Sequence, residues 1–322
     1  MAEKFDVLIL SGGGIKGIGP LGVLQYYYEQ KMFDLEHIKE YAATSIGSAI
    51  SLLLVCGYPP MDIFTKVYTL KNFFKVTDIQ NIWKIFENYG IMAITPFIEI
   101  IEDLVKQKLG KLPTLRELYD MTGKILTIPV VNESKRRVEY FNYETRPNLG
   151  AVDAVKLSCN LPVIFRRIKY DGDYWVDGGL VDNFPYDAVK NKSGKILGIV
   201  VTGTDKEDSK DTFINYIYRL IIIPINTMTH LRTKNLSKNV TLITMNFDNV
   251  PIINFAMDSE KKMDMFMKGY HDAQREQEKE IIMVPGWKWD EDPPLDFIAW
   301  DTPPKSSDGW DDDWDINAFD KK

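Results

Sequence analysis

Three short segments of the chain carry residues that could together cleave an ester. A glycine-rich segment starts at Gly12, a serine follows an apolar run at Ser45, and an aspartate at Asp177 precedes two glycines. A serine hydroxyl becomes an effective nucleophile when a neighbouring base accepts its proton. Backbone N–H groups at a helix N-terminus stabilise the oxyanion that forms when the nucleophile attacks a carbonyl. Each segment alone is a weak indication, but the ordered set predicts acyl transfer.

The serine lies in the segment Ala43-Thr44-Ser45-Ile46-Gly47, between an apolar run and a helical pattern. A sharp strand–serine–helix turn exposes the hydroxyl, and its neighbours must be small because the strand and the helix approach closely. Alanine stands where the Gly-x-Ser-x-Gly pattern has its first glycine. Threonine and serine are also common helix N-caps, and the two roles are compatible. We predict that Ser45 is the nucleophile of an elbow formed by these residues.

The glycine-rich segment follows an apolar run at 5–10 and precedes a helical pattern. It also satisfies the Gly-x-Gly-x-x-Gly pattern of dinucleotide-binding proteins, which require an acidic residue at the end of the second strand. Asp34 has the expected spacing but precedes the predicted second strand, so nucleotide binding is the less favoured alternative. The segment is instead predicted to line an oxyanion hole: Gly12, Gly13, Gly14, Ile15, Lys16 and Gly17.

The base is predicted in the segment Asp177-Gly178-Gly179. An ordinary Asp-Gly turn is the structural alternative. The chain has three histidines, and none falls in a motif. A Ser–His–Asp triad would therefore need a histidine brought from a distant part of the chain. A Ser–Asp dyad, in which the aspartate contacts the serine directly, needs no histidine.

No metal site or cofactor is predicted. The two cysteines, Cys56 and Cys159, are too few for a disulfide framework or a four-ligand metal site, and both lie in apolar surroundings. We expect them to be small buried apolar residues.

The charge is concentrated at the C-terminal end of the chain. Residues 286–322 hold eleven acidic residues against four lysines, a net charge of −7 that equals the total and leaves 1–285 neutral. The body therefore offers no basic footprint for nucleic acid. Five of the seven tryptophans also lie here. We predict an acidic, Trp/Pro-rich, disordered tail at 284–322, either a solubilising extension or a docking peptide for a protein partner.

Strands that alternate with helices predict an α/β domain with a mostly parallel sheet and helices on both faces. The hydrophobic periodicity predicts strands at 5–10, 38–43, 125–131, 138–141, 174–176, 196–202 and 240–246. It predicts helices at 18–31, 46–57, 211–235 and 259–283, a short helix from 153, and a mostly helical stretch at 61–119 with helices starting at Pro96 and Pro113.

The motifs resemble those of the patatin-like phospholipases, lipid acyl hydrolases that use a Ser–Asp dyad without histidine. The glycine segment resembles the family's oxyanion motif, and 43–47 resembles its elbow except at Ala43. The segment Ser-Cys-Asn-Leu-Pro-Val-Ile-Phe at 158–165 is similar to the family's proline-containing segment. Trp-Val-Asp-Gly-Gly-Leu-Val-Asp-Asn-Phe-Pro at 175–185 closely resembles its aspartate motif.

The resemblance implies a three-layer α/β/α patatin-like fold over 1–283 and hydrolysis of phospholipid or other lipid esters through an acyl-enzyme. It assigns Ser45 as the nucleophile, Asp177 as the base, and the N–H groups of Gly13 and Gly14, with Ile15 as a further candidate, as oxyanion donors. A non-catalytic lipid- or partner-binding protein on the same fold is the alternative. The intact motifs count against it.

The N-terminus shows no basic-then-apolar pattern, so we expect a cytoplasmic protein in peripheral contact with membranes. An apolar rim should surround the site, because the enzyme must lift an acyl chain out of a bilayer. Two segments could supply it, 73–86 and 213–221, and plain core packing is the alternative for each. The neutral body predicts that apolar insertion outweighs electrostatic attraction.

Overall fold

Strand β1 (Val7–Leu10) is buried on both faces. Val7 and Ile9 belong to one hydrophobic cluster, whereas Leu8 and Leu10 belong to a second, larger one. Successive side chains of a strand point to opposite faces. The sheet that contains β1 is therefore covered on both sides, as a mostly parallel sheet requires.

The computed structural model describes residues 3–69, 87–203, 213–248 and 257–282. The predicted tail at 284–322 and the apolar segment at 73–86 lie outside these ranges. Among the described helices, none is long and apolar enough to cross a membrane.

In the described part of the chain, eight strands form one sheet in the order β10-β9-β1-β2-β4-β8-β7, with β5 paired to β4. Strands β10, β9, β1, β2 and β4 are parallel, whereas β4 pairs antiparallel with β5 and β8, and β8 with β7. A separate parallel pair consists of β3 and β6. The strands after β1 are β2 (Glu40–Ala43), β3 (Gly90–Met92), β4 (Ile125–Asn132), β5 (Arg137–Phe141), β6 (Val163–Phe165), β7 (Ile168–Tyr170), β8 (Asp173–Asp177), β9 (Ile196–Thr202) and β10 (Val240–Asn246).

Helices connect the parallel strands and flank the sheet, which confirms the predicted fold class. The described helices are α1 (Ile18–Glu29), α2 (Ile46–Val55), α3 (Pro60–Thr69), α4 (Thr95–Leu109), α5 (Leu115–Thr122), α6 (Ala151–Ser158), α7 (Phe213–Thr233) and α8 (Ser259–Ile282). Helix α4 begins at Thr95, one residue before the predicted Pro96. Helix α5 begins two residues after Pro113, where Thr114 and Glu117 form a capping box.

The register of the sheet places two predicted motifs side by side. Leu10, the last residue of β1, is paired with Ala43, the last residue of β2. The glycine-rich segment and the predicted elbow therefore leave the same edge of the sheet as neighbours. Ligand sites of open α/β sheets form at this carboxyl edge.

The described part of the stretch predicted as mostly helical, 61–119, is mostly helical, but it also contains strand β3, which was not predicted. β3 and its partner β6 are three residues each. A strand this short shows too few alternations to be told from a loop. Strand β7 was missed for the same reason, whereas the antiparallel partner predicted at 138–141 is confirmed as β5.

Candidate active site

Ser45 has backbone angles of φ 53° and ψ −129°, which non-glycine residues rarely adopt. Such a conformation costs on the order of 1–3 kcal/mol and persists only where the surroundings enforce it. Here Gly47 packs against the end of β1, and a Cβ at this position would lie 2.6 Å from the Ser11 carbonyl oxygen. The close approach of helix and strand therefore forces the sharp turn that presents the serine side chain.

Three hydrogen bonds hold this turn in place. The Ser45 N–H donates to Ser158 Oγ at 3.0 Å, and Ser158 Oγ donates to the Pro129 carbonyl at 2.8 Å. The Ser48 hydroxyl donates to the Ser45 carbonyl at 2.6 Å. Residue Ser45 is thus fixed from β4, α6 and its own helix.

Asp177 accepts the Ser45 hydroxyl. The distance from Ser45 Oγ to Asp177 Oδ2 is 2.6 Å, and the Gly179 N–H donates to Asp177 Oδ1 at 2.7 Å. Gly178 allows this geometry, because a Cβ there would lie 2.1 Å from the Pro129 carbonyl oxygen. The structure therefore brings together the predicted nucleophile and the predicted base.

Burial changes the acid–base behaviour of Asp177, whose side chain is 4% exposed. Burial raises the pKa of this carboxyl to about 6, and the hydrogen bonds from Ser45 and Gly179 lower it in part. A carboxylate with a raised pKa is a stronger proton acceptor than an ordinary aspartate, while remaining mostly ionised near neutral pH.

The glycine-rich segment divides into supporting and exposed N–H groups. The Gly12 N–H donates to Asn183 Oδ1 at 3.0 Å, and the Lys16 N–H donates to the Gly13 carbonyl at 3.1 Å. The N–H groups of Gly13 and Gly14 make no hydrogen bond within the described ranges. The Gly12 N–H supports the loop, whereas the role of the Gly13 and Gly14 N–H groups as oxyanion donors stays a prediction.

The rest of the segment is fixed by close packing. Gly14 has φ 55°, a left-handed conformation that favours glycine. A Cβ at Gly17 would lie 2.8 Å from Ile46 Cγ1, so the first turn of α1 packs directly on the start of α2. Lys16 is buried, and its Nζ donates to the Gly203 carbonyl at 3.4 Å. Lys16 thus ties the loop to the end of β9 and does not point toward Ser45.

Two pockets meet at Ser45. The first, of about 870 Å³, is apolar and lies among α1, α2, α3 and α4; Lys66 is the one charged residue among its described lining residues. The second, of about 610 Å³, is more polar and contains Asp177, Asn183 and the three glycines that start the segment, with α7 on one side. Ser45 and Cys159 belong to both linings.

Other candidates from the sequence lie elsewhere. Lys4 Nζ binds Asp34 Oδ2 at 2.5 Å. Because Lys4 precedes β1, Asp34 lies at the opposite edge of the sheet from the glycine loop. All three histidines fall within the described ranges, and none lines either pocket. His37 pairs with Asp6 at 3.0 Å, and His230 and His271 belong to α7 and α8.

Both cysteines are buried and unbridged, which confirms the prediction made for them. Cys159 lies beside Ser45. Burial raises the pKa of its thiol well above the ordinary value, and the nearby Asp177 carboxylate raises it further. A thiol in that state is a poor nucleophile. Cys159 therefore lines both pockets as a neutral, buried side chain.

Sequence reasoning did not assign roles to Ser158, Asn183 or Ser48. Ser158 and Asn183 each fall inside a segment quoted for its resemblance, so the sequence marked their neighbourhoods. Their contacts could not be read from it, because Ser158 lies 113 residues from Ser45 and Asn183 lies 171 residues from Gly12. Ser48 is one turn into the helix and looks like an ordinary helical serine.

Comparison with known proteins agrees with this geometry. The model of the family described as patatin-like phospholipase matches residues 8–190, more than half of the chain. This chain belongs to the patatin-like phospholipase family. The match includes Ser45 and Asp177 as well as the glycine-rich segment.

Relatives of this family member differ in how much of the chain they cover. A protein named probable lipid hydrolase 463L, from Invertebrate iridescent virus 6, is 28% identical over 257 residues, which cover 76% of this chain and 86% of the viral protein. Triacylglycerol lipase ptl3 from Schizosaccharomyces pombe is 26% identical over 203 residues, 56% of this chain and 41% of the lipase. The crystal structure of VipD from Legionella pneumophila shares the fold, with a TM-score of 0.54 and 16% identity over 86% of this chain and 67% of VipD.

Proposed function

We propose that this protein hydrolyses carboxylic esters of lipids, with Ser45 as nucleophile and Asp177 as general base. The observation that carries the proposal is the 2.6 Å hydrogen bond between the two side chains, made at a strained turn where an apolar pocket opens. Membership of the patatin-like phospholipase family supports the same reaction class.

The first half-reaction forms an acyl-enzyme. Ser45 Oγ attacks the ester carbonyl carbon while its proton passes to Asp177 Oδ2. The carbonyl electrons move onto the oxygen, which accepts hydrogen bonds from the N–H groups of Gly13 and Gly14. When the intermediate collapses, the bond to the alcohol oxygen breaks, and the departing oxygen takes the proton from Asp177.

The second half-reaction repeats these steps with water. Asp177, ionised again, accepts a proton from a water molecule whose oxygen attacks the acyl carbon. The bond to Ser45 Oγ breaks, the serine recovers its proton from Asp177, and a fatty acid leaves. No step requires a metal or cofactor, because the backbone N–H groups supply the electrophilic assistance.

The apolar pocket is suited to the acyl chain. Ile46, Ile50 and Leu53 line it from successive turns of α2. At ~1.5 Å per residue, Leu53 lies ~12 Å along the helix from Ser45, so the pocket follows the helix away from the nucleophile for more than two turns. The more polar pocket beside Asp177 then receives the alcohol part. This division makes a long-chain ester a better substrate than a short one.

Labelling by a fluorophosphonate probe tests the proposal. The parent protein should be labelled, and Ser45→Ala should lose both the label and ester hydrolysis. Ser51→Ala is a matched control, because Ser51 is buried in the same helix, lines neither pocket and has no hydrogen-bond partner for its hydroxyl among the described residues. Labelling that survives in Ser45→Ala, or an undiminished hydrolysis rate, would refute the assignment.

A further inference from the structure

Helix α7 carries a stripe of large apolar side chains that are exposed to solvent. Ile223 is 61% exposed, Leu231 58%, Tyr216 50% and Leu220 47%. At ~100° per residue, these positions fall within one narrow sector of the helix. From Tyr216 to Leu231 the stripe is ~22 Å long at ~1.5 Å per residue. We call Tyr216, Leu220, Ile223 and Leu231 the α7 stripe.

The opposite side of the same helix belongs to the candidate site. Tyr218, Ile225 and Thr229 are buried, and they lie about half a turn around the helix from the stripe. Ile222, Ile225 and Asn226 line the polar pocket that contains Asp177. One helix therefore forms a wall of the site on one side and an exposed apolar surface on the other.

Helix α7 itself carries no aspartate or glutamate. Between residues 213 and 247 the sequence has four lysines and arginines and no aspartate or glutamate. Arg219 lies beside the stripe by its position on the helix, and Arg232, the neighbour of Leu231, pairs with Asp182 and Asp187. An exposed apolar stripe on a helix without acidic residues is typical of helices that lie in the interface of a lipid layer.

We propose that the α7 stripe inserts into a lipid surface and places the adjoining pocket against it. The alternative occupant, a second copy of this chain, fits poorly. A stripe ~22 Å long on a helix ~10 Å wide offers ~220 Å², well below the ~800 Å² per partner that a stable protein interface buries. A lipid layer needs no complementary shape and accepts a narrow stripe.

The inference rests on the proposed function, since a lipid hydrolase must draw its substrate from a lipid interface. With α7 in that interface, a substrate molecule reaches the polar pocket along the same helix. Binding itself needs no catalysis. It can therefore be measured in the inactive variant Ser45→Ala, so that a failure of this inference is separate from a failure of the proposed reaction.

The experiment is co-sedimentation with vesicles of phosphatidylcholine and of equimolar phosphatidylcholine and phosphatidylglycerol. In the Ser45→Ala background, Ile223→Glu and Leu231→Glu should each weaken the partition coefficient about tenfold, since removing one buried aliphatic side chain has an effect of this order. Both kinds of vesicle should bind the parent protein, because apolar insertion of the stripe carries the binding. Met121→Glu, at a residue 46% exposed on α5, is the matched control and should bind as its parent does.

Three results would overturn the inference. The first is equal partition of Ile223→Glu, Leu231→Glu and their parent. The second is an equal loss in Met121→Glu, which would show a general effect of added charge. The third is a dimer in sedimentation velocity that Ile223→Glu dissociates, which would assign the stripe to a second copy. Unchanged thermal unfolding midpoints in all variants show that each has folded.

Discussion

Replacing Asp177 by asparagine is expected to abolish hydrolysis and yet stabilise the fold at neutral pH. Burial raises the pKa of this carboxyl to about 6, whereas the unfolded chain has ~3.9. Because the folded pKa is the higher one, the stabilising contribution of the protonated carboxyl is fully present below pH ~4 and is lost as the pH rises to ~6. Above that pH the folded state must hold a desolvated charge that asparagine does not carry.

The size of the effect follows from the difference between the two pKa values. About 2 units at ~1.36 kcal/mol per unit give ~3 kcal/mol. The free energy of unfolding of Asp177→Asn, relative to its parent, should therefore rise by ~3 kcal/mol between pH 4 and pH 7. Any change in packing that asparagine causes adds a constant to this difference and leaves its pH dependence intact.

Urea denaturation of both proteins at a series of pH values measures this difference, provided that the slope with urea stays the same. Asp173→Asn is a control of opposite sign, since Lys135 and Asn132 hold the pKa of Asp173 below its ordinary value. That variant should lose stability toward neutral pH. If the difference in unfolding free energy between Asp177→Asn and its parent stays flat or falls between pH 4 and pH 7, Asp177 is not a desolvated carboxylate.

Two further predictions concern the reaction. For a soluble ester, kcat/KM should fall about tenfold from pH 7 to pH 5, because a base with a pKa of about 6 becomes mostly protonated; a constant rate over this range would contradict the role of Asp177. Leu53→Phe, which fills the apolar pocket, should lower the ratio of long-chain to short-chain hydrolysis about tenfold, since each displaced methylene is worth ~0.8 kcal/mol. Ile225→Phe in the polar pocket should leave that ratio unchanged, and an equal fall in both variants would refute the assignment of the acyl chain.

The sequence predicted those parts of the fold in which local pattern decides the structure. The run from β1 through the glycine segment to α1 combines a buried strand, glycines and helical spacing, and the start of α2 follows from small residues around Ser45. The ends of these elements differ from the predicted bounds by a few residues, because helix and strand ends are weakly specified by sequence. Family resemblance then linked segments that no local pattern joins.

The remaining features depend on contacts between distant parts of the chain. The hydrogen bond from Ser45 to Ser158 exists only because α6 and β4 pack beside the elbow. A serine at either position does not by itself indicate this contact. The antiparallel pairing of β4 with β8 carries Asp177 to Ser45, yet strand direction has no local signature in β8 itself. The exposure of the α7 stripe likewise required the fold, since its sequence is equally compatible with a buried helix.

Trapping of the acyl-enzyme tests the central claim most directly. The protein is mixed with a p-nitrophenyl ester, quenched with acid during turnover, digested and analysed by mass spectrometry. We predict an acyl group on the peptide that contains Ser45. An acyl group on another residue, or steady hydrolysis with no adduct on Ser45 in any quench, would contradict the account.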